Sequence, residues 1–247
     1  MTSTNKTVIV TGASSGIGFA VAEAYLKRGY NVVGNARTIE RLQAAADKLG
    51  NPANFLLVDG DISLPATATT LFERATAAFG KVDILVNNAG IFIAKPVGDY
   101  TEDDVEAIVS TNLKGFFYPS QAAAKHMAAN KQGHIVTITA SIAILPNVKV
   151  PALLPVLIKG GLNQATRALA IELAASNVKV NAVAPGIIDT PLHPTDDASK
   201  AFLQSLSPLG TTGNTQDIVD AVLYLTDSTF SNGSVLVVDG GSTAGTW

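Results

Sequence analysis

A run of small residues near the start of the chain, Thr11-Gly12-Ala13-Ser14-Ser15-Gly16-Ile17-Gly18, carries the first chemistry the sequence offers. An apolar segment, Thr7–Val10, leads into it, and a stretch of helical period, Ile17–Arg28, leaves it. Between a strand and a helix, glycines permit a tight turn and let the backbone approach a ligand closely. The helix start then presents unpaired N–H groups and the positive end of its dipole, which suits a pyrophosphate. Gly12, Ser14, Ser15, Gly16, Ile17 and Gly18 are therefore candidate dinucleotide-binding residues. A glycine turn alone is a weak signal, but strand, loop and helix in succession make a strong one. Other chemistries lack their residues. The chain has no cysteine, which excludes thiol nucleophiles, disulfides and Cys-ligated zinc. Its three histidines, His126, His134 and His193, are scattered and supply no metal site.

The elements that must position this loop are legible in the apolar pattern. Thr7–Val10, Asn31–Val33, Asn54–Val58, Val82–Val86, His134–Thr139, Val178–Val183 and Ser234–Val238 are short apolar runs rich in β-branched residues. Because they are apolar on both faces, they read as buried strands. Helical stretches alternate with them: Ile17–Arg28, Thr38–Leu49, Leu64–Phe79, Glu102–Asn112, Phe116–Ala129, Lys159–Ala174 and Gln216–Leu225. Thr38, Ser63, Thr101 and Thr215 stand as start signals, and Gly29, Gly50 and Gly80 as stops. Such alternation requires crossover connections and a parallel sheet covered on both sides. The expectation is one α/β domain over residues 1–247, doubly wound and Rossmann-type, with a single parallel sheet of about seven strands and helices on both faces. The more polar, less periodic segment 189–213 is expected to form a small lid.

Composition agrees with a folded enzyme-sized chain. Of 247 residues, 47% are hydrophobic and 15% charged, the reverse of a disordered sequence. Net charge is −3 and no basic block occurs, which argues against nucleic acid as the main partner. No run of 18 apolar residues supports a membrane span, and the polar opening, Met1 to Thr7, lacks a signal peptide's apolar core. A soluble cytoplasmic protein is expected.

At this point the sequence resembles the short-chain dehydrogenase/reductase family. TGASSGIG at 11–18 matches that family's cofactor motif, and Asn87-Asn88-Ala89-Gly90 its second motif. Asn112 matches its helix asparagine, Ser141 its serine after the fifth strand, and Asn181–Gly186 and Val238–Gly241 its late motifs. The resemblance spans nearly the whole chain. It implies cofactor contacts from Asn88, Gly90, Pro185 and Gly186, an adenine pocket at Asp61 and Ile62, and nicotinamide contacts from Ile188 and Thr190. It implies a homotetramer, paired through the long helices carrying Asn112 and Lys159 and through the last strand. It also frames the choice of cofactor. Ala36 stands where NAD-preferring members carry an aspartate, and Arg37 follows with a guanidinium that suits a 2′-phosphate. NADP(H) is expected in preference to NAD(H).

One part of the pattern is broken. In the family a tyrosine, four residues before a lysine, passes a proton while the cofactor passes hydride; the lysine binds the nicotinamide ribose. Counting back four from Lys159 reaches Pro155, and counting forward 13 from Ser141 reaches Leu154. Neither moves a proton, and all five tyrosines lie in other segments. The resemblance leaves Asn112, Ser141 and Lys159 as catalytic candidates, with Lys159 also on the cofactor. Three readings follow. The chain is an NADP(H)-dependent oxidoreductase with altered proton transfer, or a non-catalytic NADP(H) sensor or assembly partner, or an enzyme of another reaction. For the first, the expected substrate is a small apolar carbonyl or imine, in a pocket lined by Ile91, Ile93, Leu145, Val148, Leu153 and Leu192. His193 is a candidate compensating acid near the lid.

Overall fold

A computed structural model describes residues 5–191 and 196–246. Leu192 and His193, named above as a pocket residue and a candidate acid, lie outside the described residues. Seven strands form one parallel sheet: β1 Thr7–Thr11, β2 Asn31–Ala36, β3 Phe55–Asp59, β4 Ile84–Asn87, β5 Gly133–Ile138, β6 Val178–Pro185 and β7 Val235–Val238. Their order is β3-β2-β1-β4-β5-β6-β7. The order in which strands are added therefore reverses between β1 and β4, which are themselves parallel, and such a switch point leaves a crevice beyond the carboxyl ends of the strands.

The described residues form eight α-helices, α1 Gly16–Lys27, α2 Ile39–Lys48, α3 Pro65–Phe79, α4 Glu102–Ile108, α5 Gly115–Asn130, α6 Leu153–Leu173, α7 Asp197–Gln204 and α8 Thr215–Asp227, of which α1, α2, α3, α5, α6 and α8 pack on the sheet. Strand side chains alternate between two buried faces. Val8, Val10 and Val86 pack with Val21 and Tyr25 of α1 and Ile218 and Val222 of α8. Ile9, Leu85 and Ile135 pack with Leu71 of α3, Met127 of α5 and Leu173 of α6. Burial of both faces is what the unbroken apolar runs require.

Helix starts follow local chemistry, with two shifts from the sequence reading. Thr101 caps α4 in a full capping box with Asp104. For α3 the cap position is Leu64, not Ser63, because Pro65 takes the first helical position. For α8 it is Asn214, not Thr215; its side chain accepts from Gln216 and Asp217 N–H. The helix expected over Lys159–Ala174 begins six residues earlier, which puts Pro155 in its first turn, and one helix that the sequence reading lacked, α7, lies inside the segment 189–213. Between α4 and α5 the chain runs through a π-turn, Val109–Lys114, which holds Asn112.

Candidate functional site

The loop after β1 is built by its glycines and by Asn88. Gly12 has φ +68, and a β-carbon on it would lie 2.9 Å from Asn88 Nδ2. Asn88 Nδ2 donates to the carbonyls of Thr11 and Gly12 at 2.9 and 3.3 Å. The Thr11 hydroxyl oxygen accepts from Asn88 and Ala89 N–H, both at 3.0 Å. The loop and the end of β4 are thus one unit. A β-carbon on Gly18 would meet Gly12 O at 2.3 Å, so only glycine allows α1 this close to the loop. Gly18 works by packing and is absent from the cavity wall. Ser15 occupies the cap position of α1 without capping through its side chain, and the first turn holds no carboxylate. The helix start therefore keeps N–H groups and dipole for an anion.

A cleft of about 1040 Å³ begins at this loop and runs along the carboxyl ends of the strands. At one end Arg37 and Asp61 line it, with Ile62 and Ala36. Asp61 Oδ1 accepts from Ser63 N–H at 2.9 Å, a local turn that fixes the carboxylate. Arg41 joins Arg37 on the same wall, and neither guanidinium pairs with a carboxylate among the described residues. Sequence reasoning missed Arg41, although a basic pair four residues apart at a helix start was there to read.

In the middle, Ser14, Ser15, Gly16, Ile17, Asn88 and Gly90 face Pro185, Gly186, Ile188 and Thr190 across the cleft. A β-carbon on Gly16 would lie 3.5 Å from Thr190, so the segment after β6 closes against the phosphate-loop glycines. Gly186 donates its N–H to Val238 O at 2.9 Å, and a β-carbon there would strike Asp239. Glycine lets β6 and β7 deliver this segment to the cleft.

At the far end stand the residues carried over from the family pattern. Lys159, on the second turn of α6, donates to Ile138 O at 2.8 Å. Burial pulls its pKa down from the ordinary value to about 8. Asn112 is buried and locked to Ile91, accepting from its N–H and donating to its carbonyl, both at 2.8 Å. A β-carbon on Gly90 would lie 3.3 Å from Asn112 Oδ1 and 3.5 Å from Lys159 Nζ, so both groups converge beside Gly90. Asn112 itself stands behind the wall, whereas Ser141 and Lys159 form part of it. Ser141 opens a short 3₁₀ turn, Ser141–Ala143, directly after β5.

Pro155 is the third residue of α6, one turn before Lys159, and is buried; its missing N–H costs nothing there. Neither Pro155 nor Leu154 reaches the cavity. The apolar pocket is also partly other than expected. Ile91, Leu145 and Val148 line it, but Ile93 and Leu153 do not; Phe92, Phe202 and Leu206 do. Helix α7, which carries Phe202, is too polar along its exposed side to have announced a pocket wall. Among the described residues no three His, Cys, Asp or Glu side chains cluster as a metal site.

The cradle of glycines, the free helix start and the paired guanidiniums fit a phosphorylated dinucleotide, and Ser141 and Lys159 lie where its reactive end would point. The chain belongs to the short-chain dehydrogenase/reductase family: a family model described as enoyl-(acyl carrier protein) reductase matches residues 12–243. Among its relatives is a 3-oxoacyl-(acyl-carrier-protein) reductase of Escherichia coli strain K12, 34% identical over 239 residues and 96% of each chain. A short-chain type dehydrogenase/reductase from Mycobacterium marinum superposes with a TM-score of 0.91 at 32% identity, over 97% of this chain and 96% of that one. ElxO, solved with NADP bound, also gives 0.91, at 29% identity over 98% of this chain and all of that one.

Proposed function

We propose that this chain is an NADP(H)-dependent oxidoreductase acting on a small apolar carbonyl or imine, with proton transfer altered by the loss of the family tyrosine. The observation that carries the reading is a single cleft that joins the glycine cradle to Ser141 and Lys159. Gly12, Ser14, Ser15, Gly16 and Ile17 bind the pyrophosphate, and Arg37 with Arg41 takes the 2′-phosphate. Asp61 and Ile62 hold the adenine; Asn88, Gly90, Pro185, Gly186, Ile188 and Thr190 hold the nicotinamide half. Bound NADPH supplies the hydride. Lys159 donates to the nicotinamide ribose, and its position is fixed by Ile138 O. The Ser141 hydroxyl holds the substrate oxygen. With Pro155 in the tyrosine's place, the proton reaches that oxygen through water from the Lys159 ammonium, and Asn112, held by Ile91, stands beside Gly90 on the same side of the site. The described parts of 189–213 act as a lid on one domain, since Pro191, Phe202 and Leu206 all line the cleft. A homotetramer in the cytoplasm completes the reading.

Fluorescence titration with NADPH and NADH tests the cofactor half. NADPH should bind more tightly, and Arg37→Ala should weaken it by roughly tenfold, the worth of one charge-assisted contact. Equal binding of the two, unchanged by the substitution, contradicts it.

A further inference from the structure

We propose that Lys149 is a specificity residue whose ammonium receives a carboxylate on the substrate, so that the pocket selects an apolar carbonyl compound bearing an anionic group. The inference rests on the oxidoreductase reading above and narrows its substrate class. Lys149 lies in the loop between Ser141 and α6, and Leu145, Asn147, Val148 and Val150 of the same loop also line the cleft. The loop is ordered by its own turn. Asn147 Oδ1 accepts from Lys149 N–H at 2.9 Å, and the Asn147 carbonyl accepts from Val150 N–H at 3.0 Å. Phe92, Phe202 and Leu206 line the same cleft.

The charge census of the wall isolates this lysine. Arg37, Arg41 and Asp61 belong to the adenosine end, and Lys159 is committed to Ile138 O at the nicotinamide end. Lys149 is then the one charged side chain of the substrate half among the described residues. No carboxylate pairs with it among them. Lys149 is exposed at the rim of the cleft, so its ammonium is free to meet an anion that enters from solvent, and the attraction strengthens only as the bound ligand displaces water from it. The same charge opposes a cationic iminium. Within the carbonyl-or-imine class, the pocket thus favours a carbonyl compound with a carboxylate, its apolar body against Val148 and Phe202.

Calorimetric titration of the NADP⁺-loaded protein with hexanoate and with hexanamide tests the proposal. Hexanoate should bind about tenfold more tightly, the scale of one charge-assisted hydrogen bond. Lys149→Met should erase that preference, and Lys149→Arg should keep it. Equal binding of the two probes, binding of neither, a preference that survives Lys149→Met, or a preference lost in Lys149→Arg overturns it. NADPH titration of the unmodified protein reads the underlying function separately. If it fails, the cofactor reading falls, and the hexanoate series on the unloaded protein still decides the role of Lys149.

Discussion

Lys159 sits where two demands meet: its ammonium must stay charged to donate, and its surroundings disfavour the charge. Burial lowers its pKa from the ordinary value to about 8. The folded protein therefore gives up this proton before the unfolded chain does. Between about pH 8 and the unfolded value the unfolded state binds more protons, so stability rises with pH across that window, and the full desolvation cost is carried below it. Reduction needs the opposite state. If the Lys159 ammonium feeds the proton, kcat/KM for carbonyl reduction should hold below about pH 8 and fall above it. A pH–rate profile measured at saturating NADPH checks this; a rate flat from neutrality to well above that value contradicts it.

At the scale of elements, the sequence made the strands plain because they are short, largely apolar and β-branched runs, and β1, β2, β4 and β5 are buried on both faces. The phosphate loop was equally legible, because glycine needs are local: the φ of +68 at Gly12 and the close approach of Gly18 leave few other residues possible. What stayed hidden had no local signature. The start of α6 lies in Val150–Ile158, which is apolar throughout, so no helical period shows, and two prolines obscure it further. The π-turn at Asn112 comes from a shift in hydrogen bonding that composition does not encode. Helix α7 is short and polar, and its inward residues matter only through the cleft they face. Which family-matched residues form the wall and which stand behind it, as Ser141 and Asn112 do, depends on packing alone. One element-level feature bears on assembly. Phe117 on α5 and Leu157 and Ile171 on α6 are exposed, the last at 80%. Large apolar side chains on two long helices suit burial against other copies. Light scattering should give about four times 25.5 kDa; a mass near 25.5 kDa refutes the tetramer.

The whole molecule places everything chemical at one edge. Five βα connections, the segment after β6, helix α7 and residues near the C-terminal end of the described chain meet around one cleft at the carboxyl ends of the strands. In such a sheet that edge is where ligands bind, and the rest of the chain holds it rigid. We propose that this cleft joins a cofactor cradle to Ser141 and Lys159 with, among the described residues, no side chain placed to protonate a developing alkoxide directly. A missing general acid typically costs 10²–10⁴-fold in rate. Pro155 shares a face of α6 with Lys159, so Pro155→Tyr tests the family's i, i+4 spacing, and Leu154→Tyr tests the 13-residue spacing from Ser141. Pro155 is buried, and a larger side chain there costs roughly 1–3 kcal/mol of stability; half-buried Leu154 is the gentler site. The decisive measurement is NADPH consumption with a panel of ketones and aldehydes by the unmodified protein, Leu154→Tyr and Pro155→Tyr. Slow turnover by the unmodified protein, raised at least about tenfold in one of the two variants, is the predicted result. Brisk ketone reduction by the unmodified protein, with no gain in either variant, would contradict the account.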